Sequence, residues 1–364
     1  IQTYSYLFLY TFKIILMTST LYSFPEGSKY VIDPNDPNAI LVAPESNIDD
    51  ILVANTLNNF CFLDGNYYLT KELEVTRPNI LFISKFLNGD KVHIYQNDSQ
   101  KNGLVLKSDN IIICHISIHV VHEYKTALTV IGNKNKVENC YFYGGSRTFI
   151  INFAGPVDTS KKLDAYDSNK FNYGNIFRKN VVYSSAIDNN ISFILQRNGL
   201  FTGNVIRGGK ISFYMCKSCY ITSNLIHSSS STGIHITLPS HSLQIKYNRI
   251  IESNLSAIKI VNQMETETYS AVPNNYNITI CYNYIYDPKF DAIEINKGDG
   301  ISINNNKLVK SNYSAIYLIN CNNVKVHNNK LSYFNVGIWS EKSNFVKVID
   351  NKFYSVFPNI VDDV

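Results

Sequence analysis

One asparagine recurs through most of this chain at a nearly fixed interval, and that interval admits few folds. Asn139, Asn180, Asn204, Asn224, Asn248, Asn283, Asn306, Asn329 and Asn351 are each followed two residues later by an apolar or aromatic side chain. The steps between them are 41, 24, 20, 24, 35, 23, 23 and 22 residues, a period near 22 interrupted by two insertions. A second series keeps the same phase: Gly233-Ile-His-Ile, Ala257-Ile-Lys-Ile, Ala292-Ile-Glu-Ile, Ala315-Ile-Tyr-Leu and Gly337-Ile-Trp. A third series of alternating runs precedes the asparagines, at Leu243-Gln-Ile-Lys, Ile278-Thr-Ile-Cys, Ile301-Ser-Ile-Asn and Val324-Lys-Val-His. Three short period-two runs per repeat, separated by Asn, Gly and Ser, are strands joined by tight corners.

A repeat of this length has no room for a strand, a full helix and their connections. The packing solution is a coil of three short strands stacked on the next at about 4.8 Å, with inward Ile, Val and Leu in continuous columns. The predicted fold class is therefore all-β, a single-chain right-handed parallel β-helix. Asn suits the corners because it tolerates the left-handed backbone and its amide can bond the same group one coil away. These asparagines are read as scaffold.

Composition agrees and excludes some partners. Ile, Val, Phe and Tyr dominate the apolar set and suit a pleated surface. Charged residues are 17% and the net charge is +4, without a Lys/Arg block, so neither nucleic acid nor a membrane surface is an expected partner. The seven cysteines are an odd number, and most lie in apolar runs, which predicts reduced, strand-borne thiols. Free thiols suit a reducing compartment, whereas solenoids of this type are expected outside the cell or on a virion surface. Cys216 and Cys219 form a C-x-x-C without a second pair, too little for a zinc or redox site. Residues 1–16 read as an upstream or targeting segment, with Met17 as a possible start. Residues 17–60 are expected to be an extension with a capping helix from Ser46 to Leu57, residues 61–357 the β-helix, and 358–364 a tail covering its last edge.

The front of the chain carries a resemblance. After the capping helix come Phe62-Leu-Asp-Gly-Asn-Tyr-Tyr-Leu and an apolar strand, and then a Pro78-Asn79-Ile80 corner. With the Asn repeats, this resembles pectate-lyase-like parallel β-helix proteins over roughly residues 46–357. The resemblance implies the fold. Activity varies among such proteins, which include lyases, hydrolases, epimerases, tailspikes and inert scaffolds. It also implies motifs that this chain lacks. Arg178, Arg197, Arg207 and Arg249 have no acidic calcium-binding cluster on their face, and the Gly-His-Gly of polygalacturonases and Asp-Pro-His of alginate epimerases are absent.

The two long repeats point to a site. Insertions near 154–172 and 263–275 leave the coil at the same corner, about four coils or 19 Å apart, and so frame a groove. On its floor Ile234 and Ile236 point inward, so His235 points out, in register with Ser192, Ser212, Lys259, Glu294, Tyr317 and Trp339. His235, Lys259 and Glu294 are the expected catalytic groups, with Lys217 added because its segment resembles a lysine-bearing strand of some uronate lyases. Asn152, Gln196, Tyr214 and Thr237 are the expected substrate contacts. His115 and His119 share an outer face in the alternation, yet no acidic partner makes them a metal site; no metal ligand is assigned, although calcium remains an option. The expected function is carbohydrate processing or binding, with elimination favoured over hydrolysis. The other reading is a structural surface protein, such as a homotrimer, using Tyr317 and Trp339 for assembly.

Overall fold

The computed structural model describes residues 39–363, apart from positions 88, 123–124, 145–148, 156–170, 184–189, 238 and 263–274. Residues 1–16 and most of both expected insertions lie outside the described residues.

Each coil contributes one strand to each of three faces, and every strand pairing is parallel. Face 1 is a sheet of 13 strands running from Ile40–Val42 to Lys347–Ile349. Face 2 runs from Gly65–Leu69 to Lys352–Val356, and face 3 from Leu73–Val75 to Ile360–Asp363. Faces 2 and 3 share one hydrogen-bonded network of 22 strands, because Lys307–Ile319 and Lys330–Glu341 continue around the corner between them. Lys310 and Tyr333 bend these strands with φ of 61° and 63°. The coil is right-handed, the hand that parallel crossovers take.

Alternation builds the core. On face 3 Ile236, Ile260, Ile295 and Leu318 stack inward on successive coils, each fully buried. Phe153, Phe193 and Phe213 stack with ring centroids 4.5 and 5.0 Å apart. The Ala/Gly that leads the face 3 strands from Gly233 to Gly337 sits where the chain passes close to its neighbour. A Cβ on Gly337 would lie 2.2 Å from the Asn359 carbonyl oxygen.

The asparagine ladder is present, with two corrections. Asn180, Asn204, Asn224, Asn248, Asn283, Asn306 and Asn329 each donate their backbone N–H to the side-chain oxygen of the asparagine one coil on, at 2.9–3.1 Å. The ladder begins at Cys140, whose N–H meets Asn180, so Asn139 is one place out of phase. The left-handed residue is also not the ladder asparagine but the one before it: Asn139, Lys179, Gly203, Ser223, Tyr247, Tyr282, Asn305, Asn328 and Asp350. The ladder side chain satisfies buried amides, which lets poorly suited residues such as Tyr and Lys hold the strained position beside it.

The capping helix is Ile48–Ala54, shorter than expected, with Asn47 accepting from the Asp49 N–H at 3.2 Å and Ile48 and Leu52 buried against the first coil. Among the described residues no helix is long and apolar enough to cross a membrane. At the other end Ile360–Asp363 pairs with Ile338–Glu341, so these residues are a strand of the last coil where a covering tail was expected. All seven cysteines are free and buried. Cys216 and Cys219 donate to the Phe193 and Gln196 carbonyls at 3.2 and 3.4 Å, and burial pushes the Cys216 thiol up, as scaffold thiols require.

Candidate functional site

The outward row of face 3 has the register that alternation predicts. Asn152, Ser192, Ser212, His235, Lys259, Glu294, Tyr317 and Trp339 are successive partners, one per coil. From Asn152 to Glu294 the row spans five steps, about 24 Å.

Its two halves differ in chemistry. In the first, Asn152 Oδ1, Ser192 Oγ, Ser212 Oγ and His235 Nε2 are buried atoms that find no hydrogen-bond partner among the described residues. Ser192 and Ser212 are wholly buried, so of these four only Asn152 and His235 show part of their surface to solvent, and each unmet group costs stability. In the second half every polar group is engaged. Lys259 Nζ lies 2.6 Å from Glu294 Oε1, and Ser256 donates to Glu294 Oε2 at 2.7 Å. Tyr317 donates to Glu341 at 2.6 Å, and the Trp339 indole donates to Asp363 at 2.9 Å. His235 and Lys259 stand at the junction between the halves.

The electrostatics there are uneven. Burial, reinforced by the positive charges of Lys210 and Lys259, pushes the His235 imidazole down to about 4, so it is neutral at pH 7. Burial raises Asp291 to about 6, against the backbone N–H of Ser314 that its Oδ1 accepts at 2.9 Å. Glu294 adds to that rise by repulsion. Asp291 was not singled out from the sequence, although a signal was present. It stands immediately before Ala292, as Thr232 precedes Gly233 and Ser256 precedes Ala257, a polar column flanking the row.

Other expected residues are not brought to the row. Gln196 is fully buried at a corner, where its amide bonds the Ile194 carbonyl and accepts from Asn175 at 2.8 Å, so it is scaffold. Thr237 is only 5% exposed and offers little to a ligand. Lys217 bridges Arg197 and His241 on the short segment between faces 3 and 1, one corner from His235. Tyr214 pairs with Thr237 at the end of the face 3 strand and is half-buried. His115 is a left-handed corner residue (φ 55°) and does not share a face with His119, which instead meets His93 at 3.1 Å. Among the described residues no group of three metal-ligating side chains occurs.

The pH dependence of stability follows from the histidines. A folded His235 near 4 refuses a proton that the unfolded chain accepts near 6.5. Its contribution is therefore complete above 6.5 and is lost as pH falls toward 4. His119, also near 4, acts in the same sense, while Asp291, raised to about 6, opposes it between about 4 and 6. The expected result is a lower urea midpoint at pH 5 than at pH 7, with a smaller gap in His235→Gln. An unchanged gap in that variant would remove His235 as a cause.

No family model matches the chain, and no curated protein matches it in sequence. Among solved structures it is similar to a mutant of the periplasmic alginate epimerase AlgG, at 13% identity over 83% of this chain and 77% of that one, with a TM-score of 0.52. It is also similar to the catalytic domain of a GH87 α-1,3-glucanase in complex with nigerose, at 10% identity over 94% of this chain and 69% of that one, again with a TM-score of 0.52. At such identities the likeness is one of fold.

Proposed function

For a chain with the right-handed parallel β-helix fold of pectate-lyase-like proteins, we propose a polysaccharide-processing role, with the sugar chain lying along face 3 and elimination at a uronic acid as its reaction. The observation that carries this reading is the row itself. Half-buried Asn152, His235, Lys259 and Glu294 share one outward row, so polar and titratable groups that could meet a linear sugar polymer are aligned along a single face. The names of the similar structures, an alginate epimerase and a glucanase bound to nigerose, favour a glycan as well.

Elimination needs a base for the proton beside the carboxylate, a positive charge to stabilise the resulting anion, and an acid for the leaving oxygen. His235 is neutral and can take the proton, and Lys259 supplies the charge. Asp291, raised to about 6, is the candidate acid. Hydrolysis would require two carboxyl groups free to flank the bond. Glu294 is committed to Lys259 and Ser256, which favours elimination.

The test is incubation of the protein with polygalacturonate, alginate and neutral glucans, with and without calcium, scoring unsaturated and reducing ends separately. Unsaturated ends from a polyuronate support the reading, and reducing ends alone would replace it with hydrolysis. No product and no binding would leave a structural solenoid.

A further inference from the structure

We infer that the edge between faces 1 and 2 in the last coils is a second, non-catalytic docking row for a linear polyuronate. The inference rests on the reading above for the kind of polymer, and on separate residues for the site. Lysines 22 or 23 residues apart in the sequence are stacked by the register. Lys307, Lys330 and Lys352 are successive partners on face 2, and Lys325 and Lys347 are partners on face 1 across the asparagine corner. All five are exposed. Arg249 continues the face 2 row through Tyr284, and Lys246 and His327 flank it on face 1.

This edge is not neutralised within the described chain. Several lysines elsewhere have carboxylates, as in Lys310 with Asp287 at 2.8 Å and Lys259 with Glu294 at 2.6 Å. None of the five edge lysines has an ion pair among the described residues, and Asp350 is the acidic residue of the edge. Like charges held one coil apart repel, and a polymer bearing its own charges at a similar spacing would relieve them. A homopolymer of uronic acid carries one carboxylate per sugar, which suits one ammonium per coil. Ser302 precedes Lys325 in its column, and Asn304 precedes His327 in the neighbouring one.

Nucleic acid fits less well. Tyr247 and Tyr282 stack on each other at 5.1 Å, and Tyr284 is covered by Arg249 and Lys307, at 5.1 and 5.3 Å from its ring centroid. These rings are already paired with one another or with a cation, whereas single-strand binders present a series of rings on which successive bases stack. The edge is a convex corner and offers no projecting helix or ribbon for a duplex groove.

In a three-faced coil this edge lies across from face 3, so one short oligomer cannot occupy both. The full chain would be titrated with end-labelled galacturonate oligomers, at low and physiological salt, with duplex DNA and a sulfated oligosaccharide as competitors. Salt-sensitive galacturonate binding is expected, weakened about tenfold or more when Lys307, Lys330 and Lys352 are together changed to Gln. That variant should keep the parent melting temperature and the parent turnover on short substrates, whereas Lys259→Met should keep the salt-sensitive binding. The inference is overturned if the triple variant binds as tightly as the parent, or if DNA or the sulfated sugar binds more tightly than galacturonate. A parent protein that binds galacturonate in this salt-sensitive way, loses that binding in the triple variant, and yet forms no product would count against face 3 alone.

Discussion

Asn248→Leu is expected to lower the free energy of unfolding by about 4 kcal/mol, a large loss for one surface-distant side chain of ordinary size. The Asn248 oxygen accepts from the Asn224 backbone N–H at 3.1 Å and from the Asn224 amide at 2.9 Å. Its own amide donates to the Ile221 carbonyl at 2.8 Å and to Asn283 at 3.0 Å. Leucine fills the volume but strands these groups in a corner from which water is excluded, at about 1–3 kcal/mol for each. Asn248→Asp should also destabilise, because a carboxylate accepts from Asn224 but cannot donate to Ile221. Urea denaturation of both variants checks this. A loss under about 1 kcal/mol would mean that the ladder contributes far less than its geometry implies.

Lys259→Met is expected to reduce product formation at least about a hundredfold while leaving the fold intact, the scale seen when one preorganised charge is removed from an active site. The variant removes the ammonium 2.6 Å from Glu294 and leaves that carboxylate with Ser256. Lys259→Arg keeps the charge and should retain part of the activity. Glu294→Gln separates positioning from chemistry. If Glu294 serves to hold Lys259, the Gln variant should lose less than Lys259→Met and show the loss in kcat more than in KM. Equal rates in Lys259→Met and the parent would move the chemistry away from this row.

The register of face 3 was legible in the sequence because a solenoid converts a periodic spacing directly into adjacency. His235, Lys259 and Glu294 share a row for the same reason that Ile236, Ile260 and Ile295 share a column. What alternation could not place were residues beyond a strand end. Lys217 and Gln196 follow left-handed residues, Met215 and Leu195, at which the chain changes direction and the inside–outside rule lapses. The ladder was recognised by its amide chemistry, yet the strained residue lay one position earlier and could be almost any type. Asp291 was passed over because its neighbours in the column are Ser and Thr, which read as turn residues. The lysine row was hidden in another way. Its members are far apart in the chain, so a search for basic blocks misses a patch assembled by stacking.

Inside the solenoid each strand leans on the same strand one turn before and one turn after, and each ladder asparagine bonds only to the turns on either side of it. Such an object can change length only in whole turns. Excision of the stretch between two successive ladder asparagines would rejoin matching surfaces, whereas loss of a few residues would throw every later side chain out of alignment. Evolution of a protein built this way should proceed by duplication and deletion of complete repeats, with novelty confined to the corners where a turn can swell without disturbing the next.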